Sequence, residues 1–183
     1  MKINGKINEF YHYAFPMQAV LVTCVDEEKK TNVITIAWHT TISKDPPLYG
    51  ISVAPSRYSH DLIRKSKEFV VNFTPYELVN KVHFCGTHSG RKTDKINELG
   101  LILIPSKKIK TPSIKECYAH FECKLHKTLP LGDHTLFVGE VLNIMIDKNA
   151  FLENLLDNKR IQPTYYVGGN KYISIAKSGK VFS

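Results

Sequence analysis

The stretch that decides the fold runs from Ala19 to Ala54 and reads AVLVTCVDEEKKTNVITIAWHTTISKDPPLYGISVA. It contains three short runs, residues 19–25, 33–38 and 48–54, that are rich in β-branched and aromatic side chains. Charged residues or prolines separate these runs, as is typical of turns between strands. No segment with helical periodicity lies between them. The stretch therefore predicts consecutive antiparallel strands and argues against alternating parallel βαβ units.

Three later segments extend this pattern. Residues 69–73 predict another buried strand, and residues 117–125 alternate apolar and polar side chains, as a half-buried strand does. Residues 134–146 are apolar on both faces, and Gly139 in the middle of this run predicts a bulge or a sharp bend. Because sheets bend in this way where they curl into barrels, we predict a mainly β protein built on a closed or nearly closed antiparallel barrel.

Four segments are expected to form short helices at the periphery of the barrel. One begins at Pro75 and is about ten residues long, with Thr74 as its N-cap. Another ends at Gly100, which acts as a helix stop. This second helix covers residues 93–99, and the remaining two are residues 61–67 and 150–156. Residues 177–183 are a predicted C-terminal tail.

Length and composition limit the class of protein. The chain has 183 residues, 43% of them hydrophobic, which favours one domain, 1–183, with a core from about 15 to 175. The net charge of +8 indicates an anionic partner, but the lysines are scattered, so nucleic acid is not expected. Four cysteines without C-x-x-C spacing predict reduced, mostly buried thiols. Without a signal-peptide core or a run of roughly 20 apolar residues, we expect a cytoplasmic protein that does not enter membranes.

Several common catalytic motifs do not occur in the sequence. There is no G-x-S-x-G, H-E-x-x-H, P-loop or G-x-G-x-x-G after a strand. The usual hydrolase, zinc protease, nucleoside triphosphatase and Rossmann interpretations therefore have no support. The eight histidines match no standard zinc spacing, although His83 and Cys85 are close together, and no metal site is predicted.

Three polar segments lie at the ends of predicted strands. In residues 32–38, small and hydrogen-bonding side chains would let a planar ring lie against the backbone, although the residue types alone favour an ordinary hairpin. In residues 52–60, hydroxyl groups and Arg57 precede a predicted helix and suit a phosphate, although Ser59 could simply cap that helix. Residues 85–95 contain two glycines, hydroxyl groups and cations. By themselves they are equally consistent with a solvated loop.

Taken in order, these segments resemble the flavin reductase-like family, particularly its flavoredoxin-type branch. Six motifs, spread over about residues 15–170, carry the resemblance. They are N-x-x-T-x-A-W from Asn32, a P-P turn, I-S-V-A-P-x-R-Y-S from Ile51, F-V-V-N from Phe69, C-G-T-x-S-G-R-x-x-D-K from Cys85 and G-D-H-x-x-F-x-G-E-V from Gly132. The resemblance implies an FMN-binding split β-barrel, a Greek-key antiparallel barrel with a few peripheral helices. It also implies a homodimer with the flavin near the subunit interface.

The resemblance further implies roles for individual residues. Those that would line the isoalloxazine ring are Asn32, Thr35, Ala37 and Trp38. Those that would hold the ribityl chain and phosphate are Ser52, Pro55, Arg57, Tyr58 and Ser59, and those that would close on the same anion are Ser89, Arg91 and Lys95. His134 would be the catalytic residue, near the nicotinamide or the flavin face, although a histidine after Gly-Asp can also stabilise a turn. Trp38, Tyr165 and Tyr166 are the candidates for stacking on the rings.

The function implied by the resemblance is an NAD(P)H-dependent flavin reductase, with FMN as cofactor and NADH or NADPH as co-substrate. Hydride transfer between two bound rings needs no side-chain nucleophile, which agrees with the missing catalytic motifs. The first alternative is a flavoredoxin-like carrier that exchanges electrons with a redox protein partner. The second alternative is a non-catalytic module that binds an anion or nucleic acid.

Overall fold

The computed structural model describes residues 1–176, so the predicted tail, 177–183, lies outside the described residues. Strands dominate this part of the chain. In chain order they are β1 Met17–Gln18, β2 Val20–Val25, β3 Thr31–Ile36, β4 His39–Lys44, β5 Pro47–Val53, β6 Glu68–Phe73, β7 Leu103–Ile104, β8 Ser113–Ile114, β9 Ala119–Leu131, β10 His134–Ile146, β11 Phe151–Leu152, β12 Leu155–Leu156, β13 Tyr165–Gly168 and β14 Lys171–Ile173. The α-helices are α1 Tyr58–Ser66, α2 Val79–Thr87 and α3 Lys95–Glu98, and 3-10 helices cover Ile7–Ala14, Tyr76–Leu78 and Lys148–Ala150.

Seven antiparallel strands form the main sheet, in the order β3-β2-β6-β9-β10-β5-β4. Its first and last strands, β3 and β4, are joined by only Ala37 and Trp38. Because an extended residue spans at most about 3.6 Å, the two edges of the sheet must come close together. The sheet therefore curls into a barrel, and the backbone N–H of Ser52 donates to the carbonyl of Trp38 (2.9 Å) at this corner. The predicted antiparallel barrel is confirmed.

Strand β2 explains how the core is divided. All six of its residues are buried, because both of its faces are covered. Val20 and Val22 face the barrel interior with Phe69, whereas Leu21 packs outside the barrel in a second cluster that includes Val82 of α2. Helices α2 and α3 thus pack on the outside of the barrel, with α2 held against β3, whereas α1 packs its buried residues Leu62 and Ile63 with the interior cluster.

Gly139 produces the predicted irregularity in β10. The pairing register with β9 shifts between Val138 and Gly139, and again between Val141 and Asn143. A Cβ atom at position 139 would lie 2.7 Å from both Cys123 Cβ and the Phe69 ring. Glycine is therefore required by close packing across the barrel, where no side chain can be fitted.

The interpretation of residues 117–125 as a half-buried strand is wrong. Most of the segment lies in β9, but the face expected to be exposed is also covered: Tyr118, His120 and Glu122 are 6%, 5% and 0% exposed. Over Glu122 the cover is the loop between β7 and β8, whose backbone N–H groups at Lys107 (2.9 Å) and Lys108 (2.7 Å) donate to the carboxylate, whereas Tyr118 packs in the interior cluster. Contacts from so distant a segment leave no trace in a local alternation pattern.

The predicted helix at 150–156 is also wrong, because this segment forms the hairpin β11–β12. Glu153 and Asn154 occupy its turn with φ values of 49° and 66°. A helix cannot continue through two residues in the left-handed region, and asparagine tolerates that region better than most residues.

The other helix predictions are confirmed, with one error in capping. Residues 61–67 and 93–99 contain most of α1 and all of α3, and Gly100 follows α3 with a φ of 57°. Thr74 does not cap a helix: its hydroxyl donates to the Ala19 carbonyl (2.7 Å), and the α-helix after it begins at Val79.

Two further predictions concerned the cysteines and membrane-spanning segments. The four cysteines are free and buried, as predicted. Among residues 1–176, no helix combines the length and apolar character needed to cross a membrane.

Candidate functional site

A groove lies where β3, the start of α1 and the end of α2 meet. It consists of two chambers of about 280 and 240 Å³ that share Arg57 and Gly86. The larger one, which we call the cationic chamber, is lined by Ile34, Ser56, Arg57, Tyr58, Cys85, Gly86, His88, Ser89, Gly90 and Lys95. The smaller one, which we call the aromatic chamber, is lined by Thr35, Ala37, Arg57, His83, Gly86, Thr87, Tyr166, Gly169, Asn170 and Tyr172.

Arg57 stands at the junction of the two chambers. It occupies the N-cap position of α1, where its side chain makes no capping bond. Within residues 1–176 its guanidinium forms no ion pair. The first N–H groups of a helix lack acceptors inside the helix and carry partial positive charge. The unpaired guanidinium and the start of α1 together form a site with anion-binding chemistry.

Lys95 supplies a second cation to this chamber. It is only 4% exposed, and its ammonium group donates to the carbonyls of Cys85 and His88, each at 3.1 Å. Burial lowers the pKa of Lys95 below its ordinary value. An ammonium group has three N–H donors, so one stays available to a ligand after these two bonds are made.

The aromatic chamber has small residues on one side and rings on the other. Thr35 ties α2 to β3, because its hydroxyl donates to the Val82 carbonyl (2.5 Å). A Cβ at Gly86 would lie 3.3 Å from Thr35 Cβ, so the missing side chain keeps this side flat. Opposite it, the rings of Tyr166 and Tyr172 are 5.3 Å apart. Such a slot accepts a planar ring system, and the adjoining cations accept an anionic tail.

Comparison with known proteins agrees with this geometry. The family model described as flavin reductase like domain matches residues 12–166. The chain belongs to the flavin reductase-like family. An uncharacterized protein of Archaeoglobus fulgidus is 42% identical over 142 residues, which are 78% of this chain and 79% of that protein.

Two solved structures extend the comparison to the fold. Flavoredoxin from Methanosarcina acetivorans has a TM-score of 0.87 at 27% identity, covering 99% of this chain and 95% of its own. An FMN-binding protein from Thermus thermophilus with bound p-hydroxybenzaldehyde has a TM-score of 0.85 at 28% identity, covering 99% of this chain and 98% of its own. The barrel of this flavin reductase-like protein is therefore the split barrel of FMN-binding proteins.

Trp38 and His134 lie together next to the groove. Trp38 directly follows Ala37 of the aromatic chamber, and its ring centroid is 4.8 Å from that of His134 and 5.8 Å from that of Tyr11. The Nδ1 atom of His134 is 2.8 Å from Asp133 Oδ1, and this hydrogen bond lowers the pKa of Asp133. Neither Trp38 nor His134 is among the residues that line the two chambers. The catalytic role of His134 stays a prediction.

Arg91 has partners of its own. Its guanidinium donates to Asp61 (2.9 Å) and lies 4.8 Å from the centre of the Tyr58 ring. The hydrogen bond from Arg91 lowers the pKa of Asp61. Of the three residues expected to close on the anion, Ser89 and Lys95 line the cationic chamber and Arg91 does not. Its contact with an anion stays a prediction.

The remaining predicted site residues support the groove from outside it. The Asn32 amide donates to the Ser59 hydroxyl (2.7 Å), and both residues are buried, so this bond fixes α1 against β3. A Cβ at position 90 would collide with Asn32 Oδ1, so the residue next to Asn32 at this position must be glycine. Ser52 and Pro55 line neither chamber.

The structure adds three residues that sequence reasoning missed or left open. His83 and Tyr172 line the aromatic chamber, with ring centroids 5.8 Å apart, although His83 entered the sequence analysis only as a possible metal ligand. Tyr166 lines it too, whereas the adjacent Tyr165 does not. Alternation along a strand could have separated the two tyrosines, but could not say which one faced the groove. Among residues 1–176, no three metal-ligating side chains cluster.

Proposed function

We propose that this flavin reductase-like protein holds FMN in the groove and catalyses its reduction by NADH or NADPH. The observation that carries the proposal is the guanidinium of Arg57, which has no ion pair among residues 1–176 and stands between a chamber with a buried cation and a slot with aromatic walls. A flavin mononucleotide needs these two environments next to each other. The FMN-binding protein of Thermus thermophilus supports the same ligand.

The residues present fit FMN. Arg57, Ser89, the free N–H of Lys95 and the first amides of α1 would hold the phosphate, because each donates a hydrogen bond and the cations add attraction. The ring would lie on Thr35 and Ala37, with the rings of Tyr166 and Tyr172 opposite them.

When bound, FMN supplies the hydride acceptor. The side chains of this protein have the tasks of binding, orienting and shielding. Tyr166 and Tyr172 exclude water from one side of the slot, and Arg57 holds the anionic tail at the other end. His134, oriented by Asp133, is the polar group that we assign to the nicotinamide side. No residue has to act as a nucleophile.

Anaerobic reduction tests the reaction. We expect purified protein to show a flavin absorbance spectrum, and NADH or NADPH to bleach the bound flavin at least about tenfold faster than free FMN, because positioning two rings is itself catalytic. His134→Gln should slow the bleaching without releasing FMN, and Lys148→Gln, on an exposed 3-10 helix, should change neither. Bleaching no faster than that of free FMN would refute the reductase and favour the electron carrier.

The proposal includes a homodimer with the groove near its interface. The N-terminal 3-10 helix buries none of its residues, and Ile7, Phe10 and Tyr13 are 89%, 65% and 63% exposed. Tyr11 of the same helix packs on Trp38 beside the groove. A patch of exposed apolar side chains is typical of a protein interface, and a second copy would cover this one.

Light scattering after gel filtration tests the dimer. We expect the wild-type protein to have about twice its chain mass of 20.8 kDa. The double substitution Ile7→Glu and Phe10→Glu should give the monomer mass, since burying two carboxylates at an interface is costly. Ile102→Glu, at another exposed apolar position, is the control and should stay dimeric. A monomeric wild-type protein, or a dimeric double variant, would refute this part of the proposal.

A further inference from the structure

A third chamber lies on the other side of β13 from the groove. Consecutive residues of a strand point to opposite sides: Tyr166 lines the groove and Tyr165 lines this chamber of about 480 Å³. We call it the apolar chamber. Its walls are mainly hydrophobic, with Phe73, Phe121, Ile144, Phe151, Leu156 and Tyr165 among them. Its size and lining are those of sites that enclose small organic molecules.

One end of the apolar chamber carries a polar pair, Tyr118 and Gln18. The Gln18 amide nitrogen is 2.6 Å from the Tyr118 hydroxyl oxygen, and both residues line the chamber. Within residues 1–176 this is the only hydrogen bond of either side-chain polar group. In this orientation, and among the same residues, the Tyr118 hydroxyl proton has no acceptor and the Gln18 carbonyl oxygen has no donor. If the amide were turned over, the free donor would be on Gln18 and the free acceptor on Tyr118. In either orientation the pair offers at least one donor and one acceptor.

The position of this pair makes it accessible to a ligand. Tyr118 is 6% exposed, Gln18 is half-buried, and both line the chamber, so their unused hydrogen-bonding capacity can be reached from it. Burial also raises the pKa of Tyr118, which keeps the phenol protonated and able to donate. A partner that both donates and accepts at one atom would satisfy the pair, and a hydroxyl group does so.

We propose that the apolar chamber binds a small hydroxylated aromatic compound, with the ring among the hydrophobic walls and the hydroxyl group on Tyr118 and Gln18. This site is separate from the flavin groove and does not depend on the proposed reduction of FMN. The ring contributes the hydrophobic part of the affinity, and the hydroxyl group fixes its orientation.

Calorimetric titration of the FMN-loaded protein tests the proposal, with 2-naphthol as probe and naphthalene as the matched compound without a hydroxyl group. We expect one 2-naphthol per chain. Tyr118→Phe should weaken 2-naphthol about fivefold, the effect of one hydrogen bond, and leave naphthalene unchanged. Ile144→Trp should abolish binding of both compounds, because Ile144 is 56% exposed at the rim and a larger ring there can fill the chamber. Tyr76→Phe, on the 3-10 helix Tyr76–Leu78 and outside the lining of the chamber, should change nothing.

Several results would overturn the proposal: no binding, equal 2-naphthol affinity in wild type and Tyr118→Phe, or unchanged binding in Ile144→Trp. Release of FMN during the titration, followed by its absorbance, would place the probe in the groove instead. Binding confined to a monomeric fraction would mean that a second copy covers the chamber. Protein that holds no FMN would refute the proposed function, yet the same titration would still decide this site.

Discussion

Replacing Arg57 by alanine will weaken FMN binding by roughly 10- to 100-fold. Hydrogen bonds between a guanidinium and a phosphate are charge-assisted and contribute about 1.5–3 kcal/mol each, and every 1.4 kcal/mol corresponds to about a factor of ten in affinity. Because no carboxylate among residues 1–176 pairs with Arg57, the substitution leaves no unpaired acid and its effect reports on the ligand alone. Titration of apoprotein, followed by quenching of FMN fluorescence, measures the change.

Two variants show whether FMN affinity depends on the position of Arg57 or only on the positive charge of the protein. Arg57→Lys should fall between the wild type and Arg57→Ala, since a lysine keeps the charge but loses the two-pronged geometry of the guanidinium. Lys108→Ala removes one charge from an exposed loop position and should leave FMN affinity unchanged. Lys180, the other lysine for which no effect is expected, lies outside the described residues. Equal losses at Arg57 and Lys108 would mean that the phosphate site is misassigned.

Substitution of Lys95 is a less specific test of the proposed phosphate site. Its ammonium group also holds the carbonyls of Cys85 and His88. Lys95→Ala should weaken FMN and destabilise the end of α2 together, so the loss of affinity has to be compared with the loss of stability. The loss of affinity in Arg57→Ala is easier to interpret, because within the described residues 1–176 the Arg57 side chain makes no capping bond and no ion pair.

Replacing Glu122 by alanine will lower the free energy of unfolding by roughly 3–5 kcal/mol. The carboxylate is fully buried and accepts from Lys107 N, Lys108 N and Asn143 Nδ2 at 2.9, 2.7 and 2.8 Å. Truncation leaves three donors beside a buried cavity without their acceptor, and each such donor costs about 1–3 kcal/mol when water cannot fully replace the acceptor. Equilibrium unfolding in urea measures the loss.

The matched variants separate the buried carboxylate from negative charge in general. Glu122→Gln keeps the shape and one acceptor oxygen, so it should lose less than Glu122→Ala. Glu77→Ala removes an exposed carboxylate and should change stability by less than about 0.5 kcal/mol. A loss below about 1 kcal/mol for Glu122→Ala would contradict the role of this carboxylate in fastening the loop to β9.

The sequence by itself predicted six of the seven strands of the main sheet, all but β4, and indicated the kind of site. Runs such as residues 19–25 and 134–146 are recognisable because β-branched residues and bounding turns are local properties. Gly139 likewise predicted the irregularity in β10 from the sequence alone. The motifs at Asn32, Ile51 and Cys85 indicated a flavin because their order along the chain is readable without knowing their distances.

Only the tertiary structure decided which side chains are paired, which reach the groove and which are buried. Arg57 and Arg91 look alike in the sequence, yet Asp61, 30 residues away, pairs with Arg91, whereas Arg57 has no ion pair in the part of the chain that the structure describes. Tyr166 reaches the groove from a hairpin at the far end of the chain, and Glu122 is buried under a loop that precedes its strand. Pairing, exposure and burial depend on contacts between residues distant in sequence, and local pattern carries no record of those contacts.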